Sequence, residues 1–282
     1  MTKMKAGFIG ILDNHADTNE LWRDLEKVAG MGYRAAENAE SYACAKGASY
    51  EDNAKRMRDM GIEPVDVGVL DSMDLKKRGM GTIIENAHRL GVDKAVLFHG
   101  AAYYAKGGRK VTYDEVMREI EIFGRMSEAC KREGIKFCYH NHDHEFTTVF
   151  RGITVFDMLL AYVPDLYLEL DLGWTAYAGL DPVKLIRRVG ERLCLVHFKD
   201  FRPTGPVKHT VPMLDPSLTK TYDMPDFCSL GSGVLPVHDC LLACMEAGID
   251  LAVVEQDFIH NINPLEILQA DYLVMKESGL VL

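Results

Sequence analysis

The 282-residue chain predicts a single-domain α/β protein, a (β/α)8 or TIM barrel, and three observations carry that expectation. Eight short apolar runs recur along its whole length, at 6–12, 33–38, 63–69, 94–99, 135–141, 166–171, 193–198 and 251–256. Between them lie longer stretches whose apolar residues recur at i, i+3 and i+4, the helical period. No linker of low complexity divides the chain, so one barrel is expected over residues 1–282.

Each element has a local reason. The strand runs are nearly continuous in apolar residues, which suits parallel strands covered by helices. Leu21, Trp22, Leu25, Val28 and Ala29 form a helical stripe that stops at Gly30 and Gly32. Val116, Ile120, Phe123, Met126 and Cys130 form another, ending at Gly134. Three helices close on the same phrase, Met60-Gly-Ile, Leu90-Gly-Val and Ala247-Gly-Ile, where glycine fits a left-handed cap before a strand. Asp181-Pro182 and Asn263-Pro264 place proline in a first helical turn. An open doubly wound sheet would want a Gly-rich phosphate loop after its first strand, and Ile9-Gly-Ile-Leu-Asp-Asn14 is not one. The longest irregular stretch, 201–233, reads as a loop serving as a lid or a subunit contact.

Composition excludes several classes. The formal net charge is −10, from 42 acidic and 32 basic residues, which opposes a nucleic-acid partner. Seven cysteines, at 44, 130, 138, 194, 228, 240 and 244, show no CxxC spacing. They read as reduced, buried small hydrophobes rather than a zinc knuckle. The first apolar run is too short for a signal peptide, and no segment approaches ~18–20 uninterrupted apolar residues. A cytoplasmic protein with no membrane partner is therefore expected.

The C-terminal strand ends of such a barrel, with the loops after them, build its active site. Four phrases bring metal-ligating groups there: Cys138-Tyr-His-Asn-His-Asp-His-Glu145, Leu170-Asp-Leu-Gly-Trp174, Val196-His-Phe-Lys-Asp200 and Val253-Val-Glu-Gln-Asp257. Each residue alone has an ordinary reading. Asp171 caps the turn at Gly173, His197 is a satisfied core histidine, and Glu255 is salt-bridged. Together they predict one shared site, because buried charge is costly unless paired or coordinated. The fifth strand offers His140, His142 or Glu145 to join Asp171, His197 and Glu255. Carboxylates with imidazole suit one divalent ion, Mn2+ or Mg2+, with Co2+ or Zn2+ as alternatives. Glu145 and Glu255 are the expected acid/base pair, with His142 as substitute. His99, His140, Trp174 and Lys199 are expected at the substrate, although Lys199 also reads as an exposed loop charge. Glu37 is a further candidate for a polar contact, and Phe258 with Trp174 could wall a sugar-sized pocket.

These phrases resemble those of the xylose-isomerase-like barrel superfamily, which holds sugar isomerases, ketose epimerases, inosose dehydratases and apurinic endonucleases. The likeness rests on YHNHDHEF (139–146), LDLGW (170–174), VHFKD (196–200), LGSGV (230–234) and VVEQD (253–257), with GYRAAE (32–37) extending it. It implies a metal held by Glu145 or its neighbour, Asp171, His197 and Glu255. Two positions depart from the pattern. His140 stands where many relatives carry the strand-five glutamate, and Ser232 where similar sequences often have glutamate between two glycines.

The implied activity is divalent-metal-dependent isomerisation or epimerisation of a keto-sugar or related polyol, begun by taking a proton next to its carbonyl. An inosose dehydratase-like or 3-keto-glycoside lyase reaction would use the same site. Two other classes stand as rivals. An apurinic endonuclease needs a multi-zinc cluster, and Trp174 occupies the place of a further histidine. A non-catalytic sugar-binding barrel has no need of the intact carboxylates. Homo-oligomers are common among such relatives.

Overall fold

Parallel strands and helices alternate as the apolar runs predict. The computed structural model describes residues 2–10, 18–105, 110–212, 219–257 and 263–282. Its strands are β1 (Lys5–Ile9), β2 (Ala35–Ala36), β3a (Glu63–Pro64), β3b (Val67–Asp71), β4 (Lys94–His99), β5 (Lys136–His140), β6 (Tyr167–Asp171), β7 (Leu193–Phe198) and β8 (Leu251–Glu255). They form one parallel sheet in the order β3a-β2-β1-β8-β7-β6-β5-β4-β3b. The two edge segments belong to one stretch of chain, joined by Val65 and Asp66, so the backbone itself closes the ring.

One helix of eight residues or more follows each strand among the described residues. These are α1 (Thr18–Met31), α2 (Tyr50–Asp59), α3 (Met80–Leu90), α4 (Tyr113–Arg132), α5 (Val155–Tyr162), α6 (Pro182–Val189), α7 (Val237–Glu246) and α8 (Pro264–Glu277). Asp181 and Asn263 cap α6 and α8, each ahead of its proline, as the sequence indicates. The glycines after α2, α3 and α7 have φ of 83, 69 and 83°, the left-handed caps expected there.

The third predicted strand is interrupted. Pro64 has no N–H to offer a ladder, and Asp66 turns its carboxylate to the backbone N–H of Asn38 at 2.6 Å. The second strand is shorter than expected because Asn38 enters the left-handed region at φ 50°. Residues 11 and 12 of the first predicted strand lie outside the described residues.

Apolar side chains pack in three places among the described residues, the smallest being Trp174, Phe201, Met224 and Phe227 beside the segment after β7. Phe8, Leu25, Leu97, Phe123, Leu170 and Val254 belong to the large core between strands and helices. Ala35, Val65, Val96, Cys138, Cys194 and Leu195 form a smaller core. The thiols of Cys138 and Cys194 meet there at 2.6 Å. All seven cysteines are free, and all but Cys44 are buried.

The stretch expected to be irregular is largely an antiparallel ribbon, Asp200–Pro212 with Thr219–Cys228. The proline and glycine that suggested a loop fall where the register shifts between Arg202 and Val207. Asp200 anchors the ribbon. Its buried carboxylate accepts the backbone N–H groups of Phe201 and Leu235 (2.9 Å each) and of Gly231 and Gly233 (3.0 Å each). A Cβ at 233 would collide with Asp200 Oδ1 and the Phe201 carbonyl, so glycine is required. The LGSGV phrase is thus a turn built around a carboxylate. Replacing Asp200→Ala strands these donors and should cost about 3 kcal/mol or more in urea denaturation. Amide exchange at 231, 233 and 235 should quicken with it. A variant as stable as the wild type would refute the anchoring role.

Candidate metal centre

Four strands deliver one ligand atom each to a common point. Those of His140 (β5), Asp171 (β6), His197 (β7) and Glu255 (β8) all lie within 4.8 Å of one another. Register accounts for part of this convergence, since His197 pairs directly with Asp171 across β6 and β7. The apolar runs before them bury the strands and carry the polar tips to similar depth.

Glu145 lies outside this group. It sits on the short helix His144–Thr147, fully buried, where Oε1 accepts the Tyr139 hydroxyl at 2.8 Å and Oε2 the His142 N–H at 2.7 Å. Strand alternation turns Tyr139 away from the His140 side, into the large core with Phe123, and Glu145 is with it. The strand-five position in the cluster therefore belongs to His140. His142 keeps to the His140 side, with ring centroids 4.9 Å apart.

A second buried shell supports the imidazoles. His197 Nε2 lies 2.9 Å from Glu37 Oε2 and 3.2 Å from Glu169 Oε1, while Nδ1 bonds Glu255 Oε2 at 2.8 Å. His140 Nδ1 bonds Glu169 Oε1 at 2.8 Å. Burial alone would strip the His197 proton, but Glu37 and Glu255 outweigh it and lift the pKa to about 10. Burial and the neighbouring His197 push His140 the other way, so it is neutral. Burial and the nearby Glu37 raise Glu169 and Asp66 well above the usual carboxylate range. Glu255 goes below that range because Lys199 and His197 outweigh its burial.

Lys199 is no exposed loop charge. Its ammonium is fully buried, 3.0 Å from Asp171 Oδ2 and 2.8 Å from Glu255 Oε2 and Asp257 Oδ2. It also lies over the rings of Trp174 and Phe227. Asp171 combines two of its sequence readings. Oδ1 accepts the Trp174 N–H at 2.7 Å as a cap, and the carboxylate joins the cluster. Burial pushes its pKa up to about 7 against the pull of Lys199.

Above the cluster opens a pocket of about 290 Å3, lined among others by His99, Tyr103, His140, His142, Trp174 and Glu255. His99 stacks on Tyr103 at 4.0 Å, and His142 packs between Tyr103 and Trp174. Phe258 lies outside the described residues. A larger hollow of about 430 Å3, lined by Lys5, Arg34, Asp93 and Lys94, holds none of the clustered ligands.

Glu169, Asp66, Asp257 and Tyr103 escaped sequence reasoning. A carboxylate inside the apolar run Leu166–Asp171 was a usable signal for Glu169, because it shares Asp171's parity. Asp66 gave none, since its role depends on a strand break.

Burial raises the Glu145 carboxyl to about 7, against the hydrogen bonds from His142 and Tyr139. The folded state therefore favours the neutral acid, and this contribution to stability is full below the ordinary carboxylate value. It falls away as pH rises from about 4.5 to about 7. Glu145→Gln should thus cost about 2 kcal/mol less at pH 8 than at pH 5 in denaturant titrations. Equal costs at both pH values would show that the carboxyl is not held neutral.

An inosose dehydratase from Geobacillus kaustophilus (strain HTA426) is 32% identical over 96 residues, 33% of this chain. The match spans 30% of that relative's own length. Among solved structures, a sugar phosphate isomerase/epimerase from Parabacteroides distasonis ATCC 8503 superposes with a TM-score of 0.72 at 20% identity, over 97% of this chain and 93% of that one. A probable 3-DHS dehydratase from Bacillus anthracis superposes at 0.67 and 15% identity, over 97% and 99%. These structures share the fold. The family model described as xylose isomerase-like TIM barrel matches residues 25–277. With nearly the whole length matched, the chain belongs to the xylose isomerase-like TIM barrel family.

Proposed function

We propose that the protein is a divalent-metal-dependent isomerase or epimerase that removes a proton next to the carbonyl of a keto-sugar or related polyol. The observation that carries this reading is the convergence of four ligand atoms, from four strand ends, on the floor of a sugar-sized pocket. The donor set fits a cation. Two imidazoles and two carboxylates suit Mn2+, Co2+ or Zn2+ better than Mg2+, which prefers oxygen alone. Glu37 and Glu169 bond the imidazoles from behind, as orienting carboxylates do for metal-bound histidine.

A divalent ion held by His140, Asp171 and Glu255, and by His197 once the ion displaces its second ring proton, would polarise a substrate carbonyl and acidify the neighbouring C–H. The chain's own residues then handle the proton. His142 lines the pocket as a neutral imidazole, because burial and the nearby His140 oppose its charge. Its Nδ1 is buried with no hydrogen-bond partner among the described residues, so a ring nitrogen faces no competing donor. Glu255, ionised and lining the same pocket, is the second proton-transfer group. Glu145, expected to share that work, instead fixes the His142 backbone from beneath. Lys199, expected at the substrate, is instead buried behind the pocket, where its ammonium offsets the charge of Asp171 and Glu255 and Asp257 also holds it. Trp174, Tyr103 and His99 wall the sugar.

Returning the proton to the adjacent carbon isomerises, and returning it to the opposite face epimerises. Expelling a β-oxygen dehydrates or cleaves, and the local likeness to an inosose dehydratase supports this second reading.

Asp171→Asn and Glu255→Gln should each lower carbonyl-adjacent C–H deuterium exchange by about 10²-fold or more. Elemental analysis should show bound metal depleted, with circular dichroism unchanged. Exchange is screened on keto-sugars, inososes and 3-keto-glycosides. Full metal occupancy in both variants would remove the proposed centre.

A further inference from the structure

A second hollow, of about 280 Å3, adjoins the reactive pocket, and the two share Asn38 and Phe98. Three features hold the partition between them. Asn38 stands at φ 50°, a region that L side chains rarely adopt and that marks functional positions when it is firmly held. The fully buried Asp66 holds it, accepting the Asn38 N–H at 2.6 Å. Gly68 makes the space, since a Cβ there would collide with Asn38 Oδ1 and press on the Phe98 ring.

The hollow beyond exposes more apolar than polar surface, with a few fixed polar groups at its edge, and is neither a cation site nor an anion site. Arg78 binds Glu40 through one nitrogen, at 2.9 and 2.7 Å to its two oxygens, and donates to the Gly68 carbonyl at 2.8 Å from the other. Asn86 donates to the same Glu40. The charges of Arg78 and Glu40 cancel, and Asp74 lies 3.5 Å from the guanidinium. An arriving phosphate would meet two carboxylates around an arginine already engaged. Hydroxyl groups would donate to the fixed oxygens of Glu40, Asp74 and Ser41, with Phe98 and Leu70 offering apolar contact. That combination is the recognition surface of an uncharged sugar ring.

We propose that this hollow is a subsite for a second, uncharged hydroxylated unit that does not react. The substrate is then a glycoside or a compound of disaccharide size, and Asn38 is the specificity residue that touches both units. The inference rests on the reading of the first pocket as a carbohydrate site.

Isothermal titration of the Mn2+-reconstituted full-length protein with glucose, sucrose, trehalose and cellobiose tests it. At least one disaccharide should bind about 10-fold more tightly than glucose. Ser41→Trp, a change at an exposed position on the hollow, should cancel that advantage. Equal affinities, no binding of any disaccharide, or an advantage that survives Ser41→Trp would each overturn the subsite. Deuterium exchange on the corresponding keto-sugars separates the two readings. Exchange on keto-monosaccharides with no gain for keto-disaccharides sinks the subsite alone. A disaccharide preference in binding with no exchange at all sinks the reaction and leaves the subsite standing.

Discussion

His197 is the residue on which the rest of the centre depends. Both of its ring nitrogens face carboxylates, Glu255 on one side and Glu37 with Glu169 on the other, and its side chain is fully buried. A charged imidazole in that position ties β7 to β8, β6 and the end of β2. Removing Glu37 or Glu255 would leave a buried charge less compensated, which is more costly than never having placed the pair. The acidic shell and the imidazole therefore specify one another.

The same logic extends to the whole cluster. Among the described residues, Glu37, Asp66, Glu169, Asp171, Glu255 and Asp257 outnumber the cationic side chains within the cluster, His197 and Lys199. Part of that imbalance is relieved by protons, since burial raises Asp66, Glu169 and Asp171. The remainder is the charge that a dication at the four-ligand point would neutralise. His140 fits this arrangement. As a neutral imidazole it would lower the negative charge of the donor set, while Glu169 behind it fixes its Nδ1.

Around this rigid floor the rim is built by different means. The ribbon after β7 is pinned by a single carboxylate, Asp200, and contributes Met224 to the pocket. The opposite wall is pinned by another, Asp66, through Asn38. Both use a buried acid to capture backbone N–H groups, so loop positions near the site gain the precision of strand positions.

The barrel was legible from the chain because its signals are local. Apolar runs, helical stripes, capping glycines and prolines at first turns each act over a few residues, and the matching helix ends after α2, α3 and α7 repeat the unit. Asp171, His197 and Glu255 were legible for a related reason, since polar groups closing apolar strands must converge in a closed barrel. The strand-five member of the cluster was not. Choosing His140 over Glu145 requires knowing that Glu145 folds back beside Tyr139, on the core side of the strand. Nor could the chain alone show Asp66 reaching Asn38, or Glu169 joining His140 to His197. Those contacts are made between strands far apart in sequence, and the register and depth that create them exist only once the ring has closed.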